Sequence, residues 1–474
     1  MNPVTDLSLT QLRKDVHAAF KHWHTVDAKT DHLLADLLLV QNKRHELEPQ
    51  TPAARRLSTN QVLLDGLEQL EKQKPQAAAL LKRRFHDQQT IRGVSQRLSL
   101  SEDQVKHKQR EALAQISTIL YALEMEARDA YKVRLESQLE AKSYTQLFGI
   151  SNLSDRLLAL LITDASPWVI TLVGIGGIGK TSLANYTVRR AIHSLYYEEV
   201  IWLKIIHSAK YSHPLAGPEQ TFQQLITQLS RRLLPALPNH TPYTQKLQQL
   251  QQLLKNQRYL IVVDNLELKE DTAYLLSELV TLAMPSQFLL TSRLPPADHA
   301  GSMTIRLPEL SEADSIALMR HYAGEIGFLQ AANAPEEDLL PIFKVVGGNP
   351  FALKQLVNLA KVRPLPTLLA SLRERPLQTG EAIYQHILKE TWRTLSNDAK
   401  AVLTIMPLAA DGGMDPEQIL ALSGLTQAQL WPAIDELNGR SLLEVRSSNI
   451  WERFYGIHRL TELFIQSLLN NDEL

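Results

Sequence analysis

The sequence predicts an α/β domain with a parallel five-stranded sheet, accompanied by an all-helical N-terminal segment, a small helical segment and a winged-helix segment. Three observations support this fold class. A glycine-rich octapeptide at 174–181 lies between an apolar run and a helical pattern. Further short, continuous apolar runs have the character of strands that are buried on both faces of a parallel sheet. Residues 1–142 have long helical periodicity and no glycine-rich loop.

The octapeptide Gly174–Thr181 fits the pattern G-x-x-x-x-G-K-S/T of a phosphate-binding loop, or P-loop. Glycines in this pattern let consecutive backbone N–H groups face phosphate oxygens, and the N-terminus of the following helix adds a partial positive charge. Lys180 is expected to reach the outer phosphates, and the Thr181 hydroxyl is expected to ligate Mg²⁺. The pattern therefore predicts a P-loop NTPase whose nucleotide contacts Gly174, Gly176, Gly177, Ile178, Gly179, Lys180, Thr181 and Ser182.

Two charged residues end apolar runs of the predicted sheet. The run 258–263 leads to Asp264, and a buried parallel strand delivers such a carboxylate to the sheet edge where ligands bind. We expect Asp264 to act on Mg²⁺ as a Walker-B acid; the alternative is a polar residue of a strand-end turn. Arg293 ends the run 287–293 and is expected to contact the γ-phosphate; the alternative is an ordinary surface arginine. The candidate catalytic residues are thus Lys180, Asp264 and Arg293.

Composition excludes several other kinds of site. The chain has 474 residues, 44% hydrophobic and 21% charged, and its net charge of −1 gives no overall attraction to nucleic acid or membrane. The absence of cysteine excludes disulfides and thiolate metal sites. There is no window of about 18 apolar residues and no basic leader before an apolar stretch. We therefore expect no membrane span, no export and a cytoplasmic location.

The motifs along the chain form an ordered series. In chain order they are Leu147-Phe148-Gly149, the P-loop, Val263-Asp264-Asn265, Leu290-Thr291-Ser292-Arg293, Gly347-Gly348-Asn349-Pro350-Phe351-Ala352-Leu353 and Ile457-His458-Arg459-Leu460. This series, over about residues 143–470, resembles the NB-ARC (AP-ATPase) module of the STAND class of signal-transducing NTPases. The resemblance implies that ATP or ADP binds with Mg²⁺, that Phe148 lies beside the adenine and that Pro350 closes over the base. It also implies that His458 contacts the β-phosphate of ADP, although a histidine at such a strand-to-helix junction is more typical of a structural or capping residue.

Two residues depart from the family pattern. Asn265 stands where many relatives have a second acid, and an amide cannot accept a proton from water, so hydrolysis is expected to be slow. Glu267 is a nearby candidate for the missing base. Arg459 stands where the family's Met-His-Asp signature has its aspartate. We therefore expect a slow, switch-type ATPase rather than a fast motor.

The chain length predicts three or four domains of about 100–200 residues each. After the predicted sheet, the stretch Ser311-Glu-Ala-Asp314 resembles a capping box ahead of a helix. From about residue 380, three helical patterns precede two short strands, which is the order of a winged helix. In the family this domain is a lever: ADP contacted by both halves holds them closed, and loss of those contacts frees it to rotate. The predicted domains are 1–142 (all-helical), 143–307 (nucleotide-binding), 308–378 (small helical) and 379–474 (winged helix).

Residues 79–116 resemble the helix-turn-helix at the C-terminal end of bacterial sigma factors. The small core is expected to contain Ile91, Val94, Leu98, Leu100, Val105 and Leu113. The exposed face of the second helix then has the residue types that contact DNA in a major groove, namely Gln104, Lys106, His107, Lys108 and Arg110. Eight basic residues against four acidic ones between 81 and 116 favour duplex DNA, since DNA affinity rests largely on phosphate neutralisation. The alternative is a helical adaptor that contacts protein.

Two functions follow from these patterns. The first is a nucleotide-controlled bacterial regulator, which is closed with ADP and whose N-terminal domain binds duplex DNA. The second is a bacterial NLR-like immune (antiphage) scaffold, in which ATP drives self-association and the N-terminal domain recruits an effector protein. No internal period of 20–50 residues is visible, so the sensor of the signal is absent, supplied in trans by a partner protein, or missing from this chain.

Overall fold

The computed structural model of the chain falls into two compact units. The first unit contains residues 1–136 and 193–196, and the second contains residues 137–192 and 197–474. None of the helices in the described part of the chain is long and apolar enough to cross a membrane. The structure describes residues 7–26, 34–45, 51–204, 218–238, 240–266, 269–293, 295–296, 299–373, 380–409, 413–440, 442–446, 451–457 and 459–470.

The described part of the first unit is helical. Its helices are α1 (Leu9–Lys21), α2 (Leu38–His45), α3 (Pro52–Gln73), α4 (Pro75–Leu81), α5 (Ile91–Leu98) and α6 (Glu102–Glu136), with a π-helical turn at Lys82–His86. Thr51 and Thr90 cap α3 and α5, because their hydroxyls accept hydrogen bonds from N–H groups of the first turn. Apolar side chains of α1, α3, α4 and α6 form one core, which includes Leu12, Phe20, Leu63, Leu67, Ile116 and Leu120.

The segment predicted as a helix-turn-helix has a smaller core than the sequence predicts. Its buried and half-buried members are Leu80, Val94, Val105, Ile91 and Leu100. The prediction for Leu98 is wrong: this side chain is exposed, because α5 ends at Leu98 and Ser99 turns the chain with φ +53°. Leu113 belongs instead to the larger core of the unit. The apolar set of α6 therefore divides between two clusters.

A buried carboxylate of α6 connects this helix to α2 and forms an ion pair within α6. Glu124 has no exposed surface, and its two carboxylate oxygens accept from the N–H groups of Leu38 and Leu39 at 2.9 and 3.1 Å. These are the first two N–H groups of α2, so the carboxylate caps that helix and lies at the positive end of its dipole. Arg128 Nε donates to the same carboxylate at 2.7 Å, which compensates its charge. Glu124 is thus a buried charge whose partners all lie within the first unit.

The second unit contains the parallel sheet. Its elements to the last sheet strand are α7 (Ser151–Leu161), β1 (Val169–Val173), α8 (Lys180–His193), β2 (Glu199–Lys204), α9 (Pro218–Leu233), α10 (Tyr243–Asn256), β3 (Tyr259–Leu266), α11 (Lys269–Leu282), β4 (Gln287–Ser292) and β5 (Ser302–Arg306). The strand order is β2-β3-β4-β1-β5, and every neighbouring pair is parallel. Strands β1, β3 and β4 are almost wholly buried, as the continuous apolar runs predict. The predicted five-stranded α/β P-loop fold is therefore confirmed.

The rest of the second unit is mainly helical. It contains α12 (Glu312–Glu325), α13 (Leu329–Ala332), α14 (Glu336–Val346), α15 (Pro350–Ala360), α16 (Leu365–Arg373), α17 (Gly380–Arg393), α18 (Asn397–Ile405), a 3₁₀ turn (Met406–Leu408), α19 (Pro416–Ser423), α20 (Gln427–Gly439), β6 (Glu444–Arg446), β7 (Phe454–Gly456) and α21 (Arg459–Asn470). Strands β6 and β7 form an antiparallel pair. A single buried cluster extends from Ile316 to Leu468, so residues before and after position 378 share one apolar core. The boundary between 308–378 and 379–474 stays a prediction.

Replacement of Glu124 by alanine is expected to destabilise the first unit by about 3–5 kcal/mol, because Arg128 would then be buried without its counter-ion. The first turn of α2 would also lose its cap. Urea unfolding of the full chain measures the loss, and hydrogen exchange of the Leu38 and Leu39 amides localises it. The matched control is Glu126→Ala, an exposed acid on the same helix, for which we expect a change within about 0.5 kcal/mol. Equal effects of the two substitutions would contradict the assignment of a buried, capping carboxylate.

Candidate nucleotide site

The phosphate loop, 174–179, connects β1 to α8. Gly177 and Gly179 have φ angles of +74° and +101°, a region that glycine adopts without strain. Helix α8 begins at Lys180, so the N–H groups of its first turn and the positive end of its dipole lie at the loop. Positive φ at two glycines and a helix N-terminus together make a backbone that suits an anion.

The ammonium group of Lys180 lies against this loop. Its Nζ donates to the carbonyl oxygen of Gly174 at 2.7 Å and to that of Ile175 at 3.0 Å. The positive charge is therefore held at the predicted phosphate site. Among the other predicted contacts, Ile178 is buried, and Thr181 and Ser182 are half-buried.

Asp264 lies buried near the end of β3, with 2% of its surface exposed. Thr181 Oγ1 lies 2.9 and 3.2 Å from its two carboxylate oxygens. Thr291 Oγ1 donates to Asp264 Oδ1 at 2.5 Å and accepts from the backbone N–H of Asn265 at 2.9 Å. These hydroxyls stabilise a carboxylate that would be costly to bury without hydrogen bonds. The structure thus brings together the two residues that the sequence predicts as metal ligands.

The oxygen atoms of Thr181 and Asp264 fit a Mg²⁺ ion. This hard cation prefers oxygen ligands, and P-loop proteins hold it through one or two protein groups together with phosphate oxygens. A hydroxyl and a carboxylate in hydrogen-bonding contact beside a phosphate loop supply such groups. When bound there, Mg²⁺ would supply positive charge to phosphate oxygens.

A local irregularity in β3 accompanies this arrangement. The β3–β4 register shifts between Val263 and Leu266, and Asn265 has φ +72°. The strand therefore turns directly after Asp264 before it pairs again. Arg293 follows β4 and donates its backbone N–H to the carbonyl oxygen of Leu266 at 3.3 Å, and the residue is half-buried. The expected contact of its guanidinium with the γ-phosphate stays a prediction.

Asn349 connects the phosphate loop to α15. The residue is fully buried, and its Nδ2 donates to the carbonyl oxygen of Gly176 at 2.9 Å. Its Oδ1 accepts from the N–H groups of Phe351 and Ala352 at 3.1 and 3.2 Å, which caps α15. The N–H of Phe351 also lies 3.4 Å from the carbonyl oxygen of Gly177. One side chain and one backbone group of the helix start thus contact two successive residues of the loop.

Gly348, in the turn that precedes α15, permits a close approach to the backbone of Leu310. Its carbonyl oxygen accepts from the N–H of Leu310 at 2.9 Å, and its N–H donates to Glu309 Oε2 at 3.0 Å. A Cβ at Gly348 would overlap the carbonyl oxygen of Leu310. Pro350 is the first residue of α15. Proline suits this position, because a backbone N–H in the first turn of a helix has no partner within the helix.

The segments that the family resemblance assigns to adenine meet at Leu310. The half-buried ring of Phe148 has its centroid 5.5 Å from that of His321. Gly149 has φ +65°, and a Cβ there would lie 3.0 Å from the Leu310 side chain. Leu310 is therefore adjacent both to Gly149 and to Gly348. The structure places the two predicted adenine segments beside one linker residue.

Two residues of the sequence prediction lie outside the described part of the chain. These are His458, expected at the β-phosphate, and Glu267, the candidate substitute base. Their roles stay predictions.

The sequence prediction assigns no role to Thr291 or Asn349, although both lie within its motifs. An asparagine directly before a proline at a helix start is an N-cap signal, so the cap at Asn349 could have been predicted. Its bond to Gly176 joins residues 173 positions apart, and no local pattern indicates it. Thr291 stands at the end of a buried strand, which indicates proximity to Asp264 at the shared sheet edge.

The predicted DNA-contacting residues lie together at the start of α6. Ser101 and Gln104 exchange hydrogen bonds of 3.2 and 2.9 Å, so the Gln104 side chain is engaged in capping the helix. Lys106 pairs with Asp103 at 3.1 Å, and His107 pairs with Glu111 at 3.2 Å. The five predicted residues are all exposed: Gln104, Lys106, His107, Lys108 and Arg110.

A protein-family model described as the NB-ARC domain matches residues 150–325. The match contains the phosphate loop, Asp264, Thr291 and Arg293. Residues 150–325 are an NB-ARC domain. The family resemblance of the motif series is thereby confirmed for this part of the chain, and the NB-ARC domain is a nucleotide-binding switch module.

Two similar proteins are plant proteins. The chain is 24% identical over 337 residues to "Disease resistance protein RGA2" of Solanum bulbocastanum, which covers 65% of this chain and 31% of that protein. It is 24% identical over 181 residues to "Probable disease resistance RPP8-like protein 4" of Arabidopsis thaliana, covering 38% of this chain and 19% of that protein. The chain therefore spans about a third or less of the length of these relatives.

A similar solved structure is that of an archaeal protein. It is described as a Signal Transduction ATPase with Numerous Domains (STAND) with a tetratricopeptide repeat sensor, from Pyrococcus horikoshii. It is 18% identical, with a TM-score of 0.43, and the similarity covers 71% of this chain and 44% of that one.

Gly348→Ala is expected to lower the free energy of unfolding by at least about 3 kcal/mol, since the new methyl group overlaps the Leu310 carbonyl and must displace backbone. Thermal unfolding of the full chain measures the loss. The control is Gly324→Ala in α12, where a Cβ meets nothing within 4 Å. Because alanine favours helix, we expect this control to be neutral or slightly stabilising. A neutral Gly348→Ala would show that the turn does not need the close approach.

Proposed function

We propose that this chain is a STAND-type molecular switch controlled by ATP and ADP, with its N-terminal helix-turn-helix domain as the output. The observation that carries the proposal is that the phosphate loop, the Asp264 carboxylate and the 347–350 turn meet within one compact unit. A nucleotide bound there would touch both the sheet and the helical segment. Its phosphate state would then bias the arrangement of the two, which is the requirement for a switch.

The residues of this chain divide the proposed binding task. Lys180 and the loop N–H groups would hold phosphate oxygens, and Thr181 and Asp264 would hold Mg²⁺. Phe148 and Pro350 would flank the adenine, and Arg293 would contact the γ-phosphate. His458 would bind the β-phosphate of ADP, which would connect the predicted winged helix to the nucleotide.

The proposed enzyme is slow. Asn265, at the position of a second acid in many relatives, has no side-chain group that accepts a proton from water. Its backbone N–H is engaged with Thr291, next to the carboxylate of Asp264. We therefore expect ATP turnover below about 1 s⁻¹, the lower end of the range for ordinary enzymes.

Lys180→Ala is expected to weaken ATP and ADP binding about 10- to 100-fold, because it removes a charge-assisted hydrogen bond to phosphate. Titration with a fluorescent adenine nucleotide measures the affinity, and denaturation of the purified protein identifies any nucleotide that co-purifies. The matched control is Lys255→Ala, an exposed lysine in the last turn of α10, which should leave binding unchanged. A wild-type chain without measurable affinity for adenine nucleotides would overturn the proposed switch.

Surface charge supports duplex DNA as the ligand of the proposed output domain. Lys106, Lys108 and Arg110 are exposed within one turn and a half of α6. The ion pair of Lys106 with Asp103 is an exposed contact of small energy, so it does not keep the lysine from a phosphate. Lys108 and Arg110 have no ion pair within the described residues.

The triple substitution of Lys106, Lys108 and Arg110 by alanine is expected to weaken duplex DNA binding at every sequence tested. It should also lower the slope of log affinity against log salt by about 3, since three phosphate contacts are lost. Gel-shift titrations at several salt concentrations measure both quantities. The charge-matched control replaces Arg13, Lys14 and Lys21, three exposed basic residues of α1. Equal losses in the two triple variants would contradict a specific DNA face.

The names of the plant relatives favour a second candidate, an immune scaffold. In this reading ATP binding drives self-association, and the N-terminal domain recruits an effector protein instead of DNA. Measurements of ATP-dependent mass and of DNA binding distinguish the two candidate functions. A large, ATP-dependent increase in mass without DNA affinity supports the scaffold, whereas salt-dependent DNA binding that the α6 triple variant loses supports the regulator.

A further inference from the structure

The turn at Asn349 contacts two carbonyl groups of the phosphate loop. Asn349 Nδ2 donates to the carbonyl oxygen of Gly176, and the backbone N–H of Phe351 donates to the carbonyl oxygen of Gly177. A trans peptide bond is planar, so its carbonyl oxygen and its N–H point in opposite directions. A partner that holds the Gly176 carbonyl therefore orients the N–H of Gly177, and a partner on the Gly177 carbonyl orients the N–H of Ile178.

These N–H groups belong to the loop that the P-loop pattern assigns to phosphate. A glycine-rich loop has many accessible conformations, and ordering it for a ligand costs conformational entropy. Two external hydrogen bonds reduce that cost, because they hold two peptide planes of the loop before binding. The orienting groups lie at the start of α15, whose buried side chains belong to the core that extends from Ile316 to Leu468.

We propose that Asn349 is a positioning residue that couples the phosphate loop to the helical part of the second unit. With α15 in place, its side chain holds the loop in the conformation that accepts phosphate. When α15 moves away, the loop loses both bonds and binds nucleotide more weakly. By linkage, bound nucleotide favours the docked position of α15 by the same factor. This inference rests on the proposed nucleotide switch and names the residue that would transmit its state.

The chemistry of the side chain separates this role from capping. Oδ1 accepts from two N–H groups of α15, whereas Nδ2 donates to the loop. Serine and aspartate are as good N-caps as asparagine, but aspartate has no donor and serine is too short to span both contacts. In Asn349→Asp a carboxylate oxygen would face the Gly176 carbonyl oxygen, so the contact would become repulsive. Both variants therefore keep the cap and lose the bond to the loop.

The test compares Asn349→Ser and Asn349→Asp with the wild type in the full chain. We expect affinity for a fluorescent ADP analogue to fall about three- to tenfold for Asn349→Ser, as for the loss of one hydrogen bond. For Asn349→Asp we expect at least the same fall. Hydrogen exchange of the amides between 174 and 179 should become faster without nucleotide in both variants. Should one variant not be recovered folded, the other provides the same comparison.

The matched control is Ser396→Ala. Ser396 caps α18 in the same unit by accepting from the N–H of Ala399 at 3.1 Å, and it does not touch the loop. Its loss should lower the thermal stability without a change in ADP affinity or in exchange of the loop. Wild-type affinity in both Asn349 variants overturns the coupling and leaves the nucleotide switch intact. Absence of nucleotide binding in the wild type overturns both.

Discussion

The site depends on one constraint, namely that all five strands of the sheet run in the same direction. Their carboxyl ends then share a single edge, so groups far apart in sequence emerge side by side. Asp264 lies near the end of β3, Thr291 lies near the end of β4 and the phosphate loop follows β1, and these three strands are consecutive neighbours. The Asp264 carboxylate is stabilised by hydroxyls from two other elements, which fixes the position of the loop relative to β3 and β4. The register of β3 and β4 therefore determines whether the hydroxyl of Thr291 can reach the carboxylate of Asp264.

Directional hydrogen bonds join this edge to the helical segment. The linker at Glu309 and Leu310 bonds to Gly348, and the next residue, Asn349, bonds to the phosphate loop. Such contacts are directional, and a shift of about an ångström breaks them, whereas apolar surfaces tolerate sliding. Glycine at position 348 is required because the two backbones meet there without space for a methyl group.

Local sequence patterns predict some features of this molecule and miss others for a physical reason. The phosphate loop, the buried strands and Asp264 follow from short-range signals, because a strand, a tight loop and a helix occur within about 25 consecutive residues. The hydrogen bonds of Thr291 to Asp264 and of Asn349 to Gly176 join residues 27 and 173 positions apart, so a local pattern indicates at most that the first pair share a sheet edge. The error at Leu98 has a similar origin. Its helical periodicity is correct, but α5 ends at that residue and the side chain stays partly exposed.

The common apolar core of the residues before and after position 378 has a practical consequence for dissecting this chain. Side chains such as Leu353 and Leu356 of α15 and Ile387 of α17 are buried in one cluster with Phe464 of α21. A fragment that ends near residue 378 would therefore expose to water apolar surfaces that are buried in the intact protein. Such halves would precipitate or bind chaperones when expressed separately. Truncation in this region would report on the loss of this core rather than on the function of either part.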